Sequence, residues 1–384
     1  MNLDGTLNEE EKLIRDTFDD FCRRHVEPEN EKWNISGEFP REIMKAASGI
    51  ALPSSLPTSA GGSGLNETVI GLLSEDMGRY EFPVPAFLTM HFAKLLPLVQ
   101  DIELKESLIK QYLNGDLVIC GAFTEPGAGS DAASISTDAL KRGNWYVING
   151  EKAFVSSPGI ADAHILTVRT DAGEPRGHRG ISLVVADAKT EGIEPYEMEN
   201  MATVFKGDFG GLRLTGVKIP TGNLIGDENG GFSILMKILN IQRVHVALYS
   251  IGLAKRSLEE AIGYAKMRKT FGKPISRNQA VAFRLADDWS RLESVRLLAY
   301  RALAMQDSGI DNSAECAAVK SYGCEVAFDV SSHALQTFGA SGYVRTSPLE
   351  RRFRATRGLL IGDGTPDIQR LILSRKLFGR EYAP

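Results

Sequence analysis

The spacing of apolar and polar positions changes twice along the chain. From position 8 to roughly 116 apolar residues recur at helical intervals, and Leu13, Ile14, Phe18, Phe21 and Cys22 fall on one face of a first helix. Pro28, Pro40, Pro53 and Pro57 punctuate the stretch after it. From 117 to 227 the pattern shortens to strands and turns. Trp145-Tyr146-Val147-Ile148 runs into Asn149-Gly150, a dipeptide that predicts a tight hairpin turn; Ala153-Phe154-Val155, 163–168 and 181–185 read as further short strands. Helical spacing then returns in Ala247, Leu248, Ile251, Ala254, Leu258, Ala261, Ile262 and Ala265, and again over about 278–305 and 314–338. This order predicts an α+β fold with a β unit clasped between two helical ones, divided as 1–117, 118–227 and 228–384.

Composition narrows the picture. A chain of 384 residues, 43% hydrophobic, can build a large core shared by more than one unit. The net charge of −5 gives no electrostatic footprint for nucleic acid or an anionic membrane. No apolar run approaches the length of a membrane span, about 18 residues. The first residues carry Asp4 and Glu9-Glu10-Glu11, unlike a secretory or transit segment, which predicts a cytoplasmic protein. Cys22, Cys120, Cys316 and Cys324 have no metal or redox spacing and read as buried thiols.

The chemistry concentrates first in Thr124-Glu125-Pro126-Gly127-Ala128-Gly129-Ser130-Asp131. Its glycines formally fit a dinucleotide fingerprint, but that motif needs a helix opening at the glycines, and Gly143, Asn144 and the expected turn at Asn149-Gly150 leave no room for one. Two readings remain. One is an ordinary glycine-rich loop; the other is a cradle in which bare backbone N–H groups and the hydroxyls of Thr124 and Ser130 meet the polar edge of a flavin.

Further segments extend the case. Gly61-Gly62-Ser63-Gly64, Asn149-Gly150-Glu151-Lys152, Arg268-Lys269-Thr270-Phe271-Gly272, Gln336-Thr337-Phe338-Gly339 and Gly364-Thr365 occur in the order and spacing of the acyl-CoA dehydrogenases, which the chain resembles over nearly its whole length. The resemblance implies an N-terminal helical domain, a middle β-barrel-like domain and a C-terminal four-helix bundle. It also implies FAD as cofactor, an acyl-CoA substrate, an electron-transfer flavoprotein as acceptor and a homotetramer. Phe123, Thr124, Gly129 and Ser130 would contact the flavin, with Ser130 also near the thioester arm. Phe154 and Ser156 take the places of an aromatic ring and a hydroxyl beside the flavin; many members carry Trp where Phe154 stands. Arg268, Thr270, Phe271, Gln279, Gln336 and Gly339 match contacts to the pyrophosphate and adenosine of FAD supplied across a subunit interface. Thr365 and Asp367 are assigned to the cofactor as well, and Asn240 and Arg243 to the CoA moiety or the ordering of the site.

Dehydrogenation of a thioester needs a base at the α-carbon. By the resemblance, the base precedes a Gly-Thr pair, which here is Asp363 in place of the usual Glu. The alternative position is Gln242, before Arg243, and an amide cannot serve as base. Thr365 reads as an N-cap with Pro366 at the first helical position, placing Asp363 at a helix N-terminus that favours its carboxylate. Asp is shorter than Glu by one methylene, about 1.5 Å, and Gly362 replaces an aromatic common in the family; Gly362 and Gly364 thus flank the substrate. In relatives acting on alicyclic thioesters such as cyclohexanecarboxyl-CoA, Asp is the base. The expected substrate is therefore a cyclic or α-branched acyl thioester. Three rivals share the pattern: a nitroalkane-oxidase-like flavin oxidase, a dehydrogenase for carrier-protein thioesters, and a non-catalytic subunit of a heteromeric dehydrogenase. His91, in Thr89-Met90-His91, lies on a helix expected near the acyl pocket.

Overall fold

A computed structural model describes residues 7–171, 177–379 and 381–383; Asp4, part of the acidic N-terminal stretch, lies outside them. Helices α1 (Glu9–His25), α2 (Asn30–Ser36), α3 (Glu42–Ala47), α4 (Glu67–Arg79), α5 (Val84–Ala93) and α6 (Ile102–Leu113) come first. Strands β1 (Ile119–Ala122), β2 (Asp138–Arg142), β3 (Trp145–Ser156), β4 (Ala163–Arg169), β5 (Ile181–Asp187), β6 (Ile193–Glu197), β7 (Phe209–Pro220) and β8 (Leu224–Ile225) come next. Helix α7 (Gly231–Met267) then begins a helical region with α8 (Gln279–Asp307), α9 (Ser313–Ala318), α10 (Cys324–Phe338), α11 (Pro348–Ile361) and α12 (Pro366–Phe378). The order of helices, strands and helices is the one the periodicity implies, and among the described residues no helix is long and apolar enough to cross a membrane.

The compact units cut across that order. One comprises Met1–Glu31, Asn66–Phe82 and Asn240–Pro384; the other comprises Lys32–Leu65 and Pro83–Leu239. In the first, α1 starts at a capping box, where Asn8 Oδ1 accepts from Glu11 N (2.9 Å) and Glu11 Oε2 accepts from Asn8 N (3.0 Å). Phe18, Phe21 and Cys22 are buried, but Leu13 is 67% exposed, so the apolar face is shorter than its pattern suggests. The core of this unit runs along α7 through Val244, Ala247, Leu248, Ile251, Ala254 and Leu258, with Leu292, Val295 and Ala299 of α8 and Val326 and Val330 of α10. Small residues let the helices approach closely at two glycines of α4: a Cβ on Gly71 would run into Leu303, and one on Gly78 into the Tyr249 backbone.

In the second unit the strands form one sheet in the order β6-β7-β3-β2-β4-β5-β8, with β1 added in parallel to β4. Strand β4 is buried along its whole length, as its run of Ala, Ile, Leu and Val requires. The hairpin turn expected at Asn149-Gly150 does not form. β3 continues straight through that dipeptide, and the turn falls earlier, at Gly143-Asn144 between β2 and β3. Asn149-Gly150 is instead an irregularity in the β3–β7 register between Ile148 and Gly150. Gly150 has φ 151°, and a Cβ there would come within 2.5 Å of Thr137 Oγ1; Asn149 Oδ1 accepts from Gly216 N of β7 (2.8 Å). The glycine serves close approach and the asparagine a cross-strand bond, both of which a turn signal mimics.

Candidate active site

The glycine-rich segment contains no helix. Glu125 and Ala128 exchange backbone hydrogen bonds (Glu125 N to Ala128 O, 3.1 Å; Ala128 N to Glu125 O, 3.0 Å), closing a tight turn over Pro126-Gly127. Thr124 O accepts from Ala153 N (2.9 Å), so this segment is stitched to β3 one residue before Phe154. Phe123, Thr124, Gly129, Ser130, Phe154 and Ser156 therefore belong to one region. A second register shift in β3, between Ala153 and Val155, isolates Phe154; its φ is 55° and its ring is 58% exposed. Bulges re-aim side chains, and this one turns an aromatic ring out of the sheet.

Beneath the segment lies a buried ion pair to which the sequence motifs assign no role. Lys152 Nζ donates to Glu125 Oε1 (2.7 Å), Thr167 Oγ1 (3.0 Å) and Phe123 O (3.4 Å). Glu125 also accepts from Ser136 N, Ser136 Oγ and Thr137 N. Burial alone would raise the Glu125 carboxyl; the Lys152 ammonium and these donors overcome it and hold the group at about 2. The one sequence signal for the pair is the alternation of β3, which puts a lysine on an inward position.

In the other unit, Gly362-Asp363-Gly364-Thr365 forms the turn between α11 and α12. Thr365 caps α12 as expected, its hydroxyl accepting from Ile368 N (3.5 Å), with Pro366 next. Asp363 has φ 56°, the left-handed region that costs a non-glycine residue energy. Its backbone is held on two sides. Arg243 Nε donates to Asp363 O (3.2 Å), and Gln369 Nε2 donates to Asp363 O (3.2 Å) and Gly364 O (3.2 Å). A Cβ on Gly364, where φ is 95°, would meet Gln369 Nε2 at 2.5 Å. Gln242 donates to Asp363 Oδ2 (3.1 Å). Asp363 retains exposed surface although its carboxyl lies deep among protein atoms. Burial raises its pKa against the charges of Lys320 and Arg243 and the Gln242 hydrogen bond. The helix-end placement therefore does not leave this carboxylate at its ordinary value. Around Gly362 a Cβ would meet nothing within 4 Å.

Asn240 is turned to Asn312 Oδ1 (3.1 Å) and Cys316 Sγ (3.6 Å), one turn before Arg243 on α7. Arg268, Thr270 and Phe271 lie on a short antiparallel turn between α7 and α8, with Gln279 at the start of α8. Phe271 has φ 49° and is fully exposed, and Arg268 and Gln279 are exposed as well. Tyr264 stacks on Phe338 with centroids 4.1 Å apart, so the Arg268 turn and the Gln336–Gly339 segment are neighbours. Asp367 is 90% exposed and paired with Arg370 (3.0 Å). His91 is buried in α5 with its ring edge-on to Phe87. All four cysteines are buried and free.

Comparison with known proteins decides the family. The acyl-CoA dehydrogenase N-terminal, middle and C-terminal domain models match residues 8–116, 120–219 and 229–378 in turn. The chain belongs to the acyl-CoA dehydrogenases. It is 34% identical to the caffeyl-CoA reductase-Etf complex subunit CarC of Acetobacterium woodii over 97% of this chain and 99% of that one. It is 33% identical to the mitochondrial isobutyryl-CoA dehydrogenase of Dictyostelium discoideum over 97% and 90%. Among solved structures, butyryl-CoA dehydrogenase from Megasphaera elsdenii matches with a TM-score of 0.89 at 26% identity over 97% and 98%. The chain is thus an oxidoreductase acting on CH–CH donors, and FAD is the cofactor of its family.

The residues present fit that group. A Cβ on Gly127 would meet nothing within 4 Å and one on Gly129 would meet Thr124 Cγ2 at 3.9 Å, so a planar ligand edge can reach the backbone there. Phe154 offers an uncovered ring, and Arg268 offers paired donors beside the exposed Phe271. Of the six non-glycine residues with left-handed φ among those described, three are Phe154, Phe271 and Asp363. Backbone strain of this kind gathers at functional positions.

Proposed function

We propose that the protein dehydrogenates an acyl-CoA thioester between its α and β carbons, with Asp363 as the base that removes the α-proton. Bound FAD supplies the hydride acceptor. The observation that carries the assignment is the clamp on Asp363: a carboxylate in a strained left-handed turn, its main chain gripped by Arg243 and Gln369 and one carboxyl oxygen engaged by Gln242. The second oxygen would then be the one that takes the proton. Phe123, Thr124, Gly129, Ser130, Phe154 and Ser156 would hold the flavin. Arg268, Thr270, Phe271, Gln279, Gln336 and Gly339 would meet the pyrophosphate and adenosine of a neighbouring subunit's FAD, and Thr365 and Asp367 complete the cofactor set. Asn240, Arg243, Gly362 and Gly364 would border the thioester.

The substrate we favour is a cyclic or α-branched acyl-CoA such as cyclohexanecarboxyl-CoA. The shorter base and the open space at Gly362 both make room beside the α-carbon. The likeness to an isobutyryl-CoA dehydrogenase, named for a branched acyl group, points the same way. We place the enzyme in the cytoplasm as a homotetramer that hands electrons to an electron-transfer flavoprotein, in line with the Etf complex named for its A. woodii relative.

A second reading runs the reaction backward. The raised pKa of Asp363 also suits it as the acid that returns a proton to the α-carbon, and the A. woodii relative is named a reductase.

The deciding experiment is anaerobic bleaching of the flavin by a panel of acyl-CoA esters. Asp363→Asn keeps FAD bound and abolishes bleaching; bleaching that persists in this variant moves the base elsewhere. Faster turnover of butyryl-CoA than of cyclohexanecarboxyl-CoA would remove the substrate proposal while leaving the reaction intact.

A further inference from the structure

Between α9 and α10 the helix widens into a π-helical turn, Val319–Gly323. Lys320 sits on it with no exposed surface. Its ammonium donates to Leu359 O (2.9 Å) and Leu360 O (3.4 Å), the carbonyls that end α11 just ahead of Gly362-Asp363. An isolated lysine in the run Cys316-Ala317-Ala318-Val319-Lys320 is out of place in a buried helix, and π turns occur often where a side chain must be displaced for function.

A buried ammonium held only by neutral carbonyls is expensive unless negative charge lies near. Among the described residues no carboxylate is bonded to Lys320. Two things offset its charge: the negative end of α11, where its two carbonyl partners lie, and Asp363, three residues beyond Leu360. We propose that Lys320 is a positioning residue for the reaction: anchored to the end of α11, it fixes the turn that carries Asp363 and supplies positive charge that favours the ionised carboxylate in a buried setting. The inference rests on Asp363 being the base.

The other groups facing Asp363 are accounted for. From α7, Arg243 bonds its carbonyl and Gln242 its carboxyl. From α12, Gln369 bonds its carbonyl. Cys324 of α10 is buried, its thiol pushed up by burial and therefore neutral. Asp367 is exposed and engaged with Arg370. Among the described residues, Lys320 and Arg243 are the cations that oppose the effect of burial on Asp363. Lys320 differs from Arg243 in touching only the backbone of α11, so it can be changed without removing a bond to Asp363 itself.

The test compares Lys320→Met, Lys320→Gln and Lys320→Arg with the parent holoenzyme. The rate of anaerobic flavin bleaching by cyclohexanecarboxyl-CoA, or by butyryl-CoA where that is the better substrate, is followed against pH, with FAD content measured in parallel. The base works ionised, so the rate climbs with pH through the Asp363 titration to a plateau. Loss of the cation in Lys320→Met and Lys320→Gln moves this climb upward by about one pH unit, a roughly tenfold loss on its acid side. The high-pH plateau is largely kept, and Lys320→Arg restores the parent profile. A plateau that falls with the climb unmoved shows an ordinary structural lysine and overturns the proposal. Should Lys320→Met lose FAD or fold poorly, Lys320→Gln decides alone, because its amide keeps an N–H donor on a polar side chain while carrying no charge. Asp363→Asn separates the two claims. An inactive Asp363→Asn with an unmoved climb in the Lys320 variants defeats only the lysine's role, whereas an active Asp363→Asn removes the base assignment and this inference with it.

Discussion

Replacing Lys152 by Met tests how the glycine-rich segment is held. The ammonium is fully buried and Glu125 is 4% exposed, so water cannot replace the lost cation. Met has similar length and no charge, which leaves the carboxylate in place with its bonds from Ser136 N (2.7 Å), Ser136 Oγ (2.8 Å) and Thr137 N (3.0 Å). Breaking a buried pair from one side costs about 3–5 kcal/mol. Three surviving donors put this case at the lower end, about 3 kcal/mol, since they stabilise the carboxylate without the lysine. The double variant Glu125→Gln/Lys152→Met removes both charges, and its amide oxygen still accepts from Ser136 N and Oγ, although its NH2 replaces the acceptor that faced Thr137 N. It therefore costs less than Lys152→Met alone, by about 1–2 kcal/mol. Urea unfolding curves with a common slope give the three differences. FAD content falls in Lys152→Met and stays low in the double variant, because both lack the ammonium that holds the carbonyl of Phe123. A Lys152→Met protein within about 0.5 kcal/mol of the parent would refute the reasoning, since that is the range of a surface change. So would a double variant less stable than the single one.

Two more outcomes concern other regions. Gly362→Tyr fills space that is open in the structure, at a residue with φ −60°, so stability stays within about 0.5 kcal/mol of the parent; the ratio of cyclohexanecarboxyl-CoA to butyryl-CoA turnover falls at least roughly tenfold, and an unmoved ratio removes Gly362 from the acyl pocket. The neighbours Glu75 and Asp76 give a pH dependence with opposite signs. Glu75, buried yet held at about 2 by Lys255, Arg296 and Tyr300, adds stability above its unfolded value near 4.5 that is lost as pH falls toward 2. Asp76, raised to about 6 mainly by burial, takes up its proton more readily when folded, so its contribution is full below 3.8 and is lost as pH rises through 6. Unfolding measured between pH 3 and 7 shows Glu75→Gln losing the acid-side fall and Asp76→Asn losing the fall toward pH 6; coincident profiles for parent and variants would contradict both assignments.

The features legible in the sequence are those that depend on neighbours along the chain. Period gives the order of helices and strands, and an N-cap with proline after it places the start of α12 at Thr365-Pro366. The burial of the four cysteines agrees with their lack of a functional spacing. Asn149-Gly150 misleads because the same backbone freedom serves a turn and a close crossing, and only the position of Thr137 tells them apart. Ala153-Phe154-Val155 looks like plain strand, since nothing local announces that Phe154 bulges outward. Gln242, which cannot act as a base, is instead a donor to the carboxylate 121 residues away. Lys320 and Gln369 belong to no motif at all. Their bonds exist only because the π-helical turn ahead of α10, and α12, fold back against the end of α11 and the turn that follows it, a long-range fact that no local pattern encodes. Likewise, the grouping of α1 and α4 with the C-terminal helices is a matter of packing and leaves no mark on the order of elements.

The left-handed turn at Asp363 also bears on how such a chain would age if its activity were no longer selected. An L-residue there costs roughly 1 kcal/mol, less for Asp than for most, and glycine would relieve it. Burying the carboxylate adds to the penalty. A subunit kept only as scaffolding would therefore gain stability by exchanging this side chain for glycine. A chain that still carries the acid, with Gln242, Arg243 and Gln369 arranged around it, has not taken that route. The folded state itself thus speaks for a working enzyme rather than a relic of one.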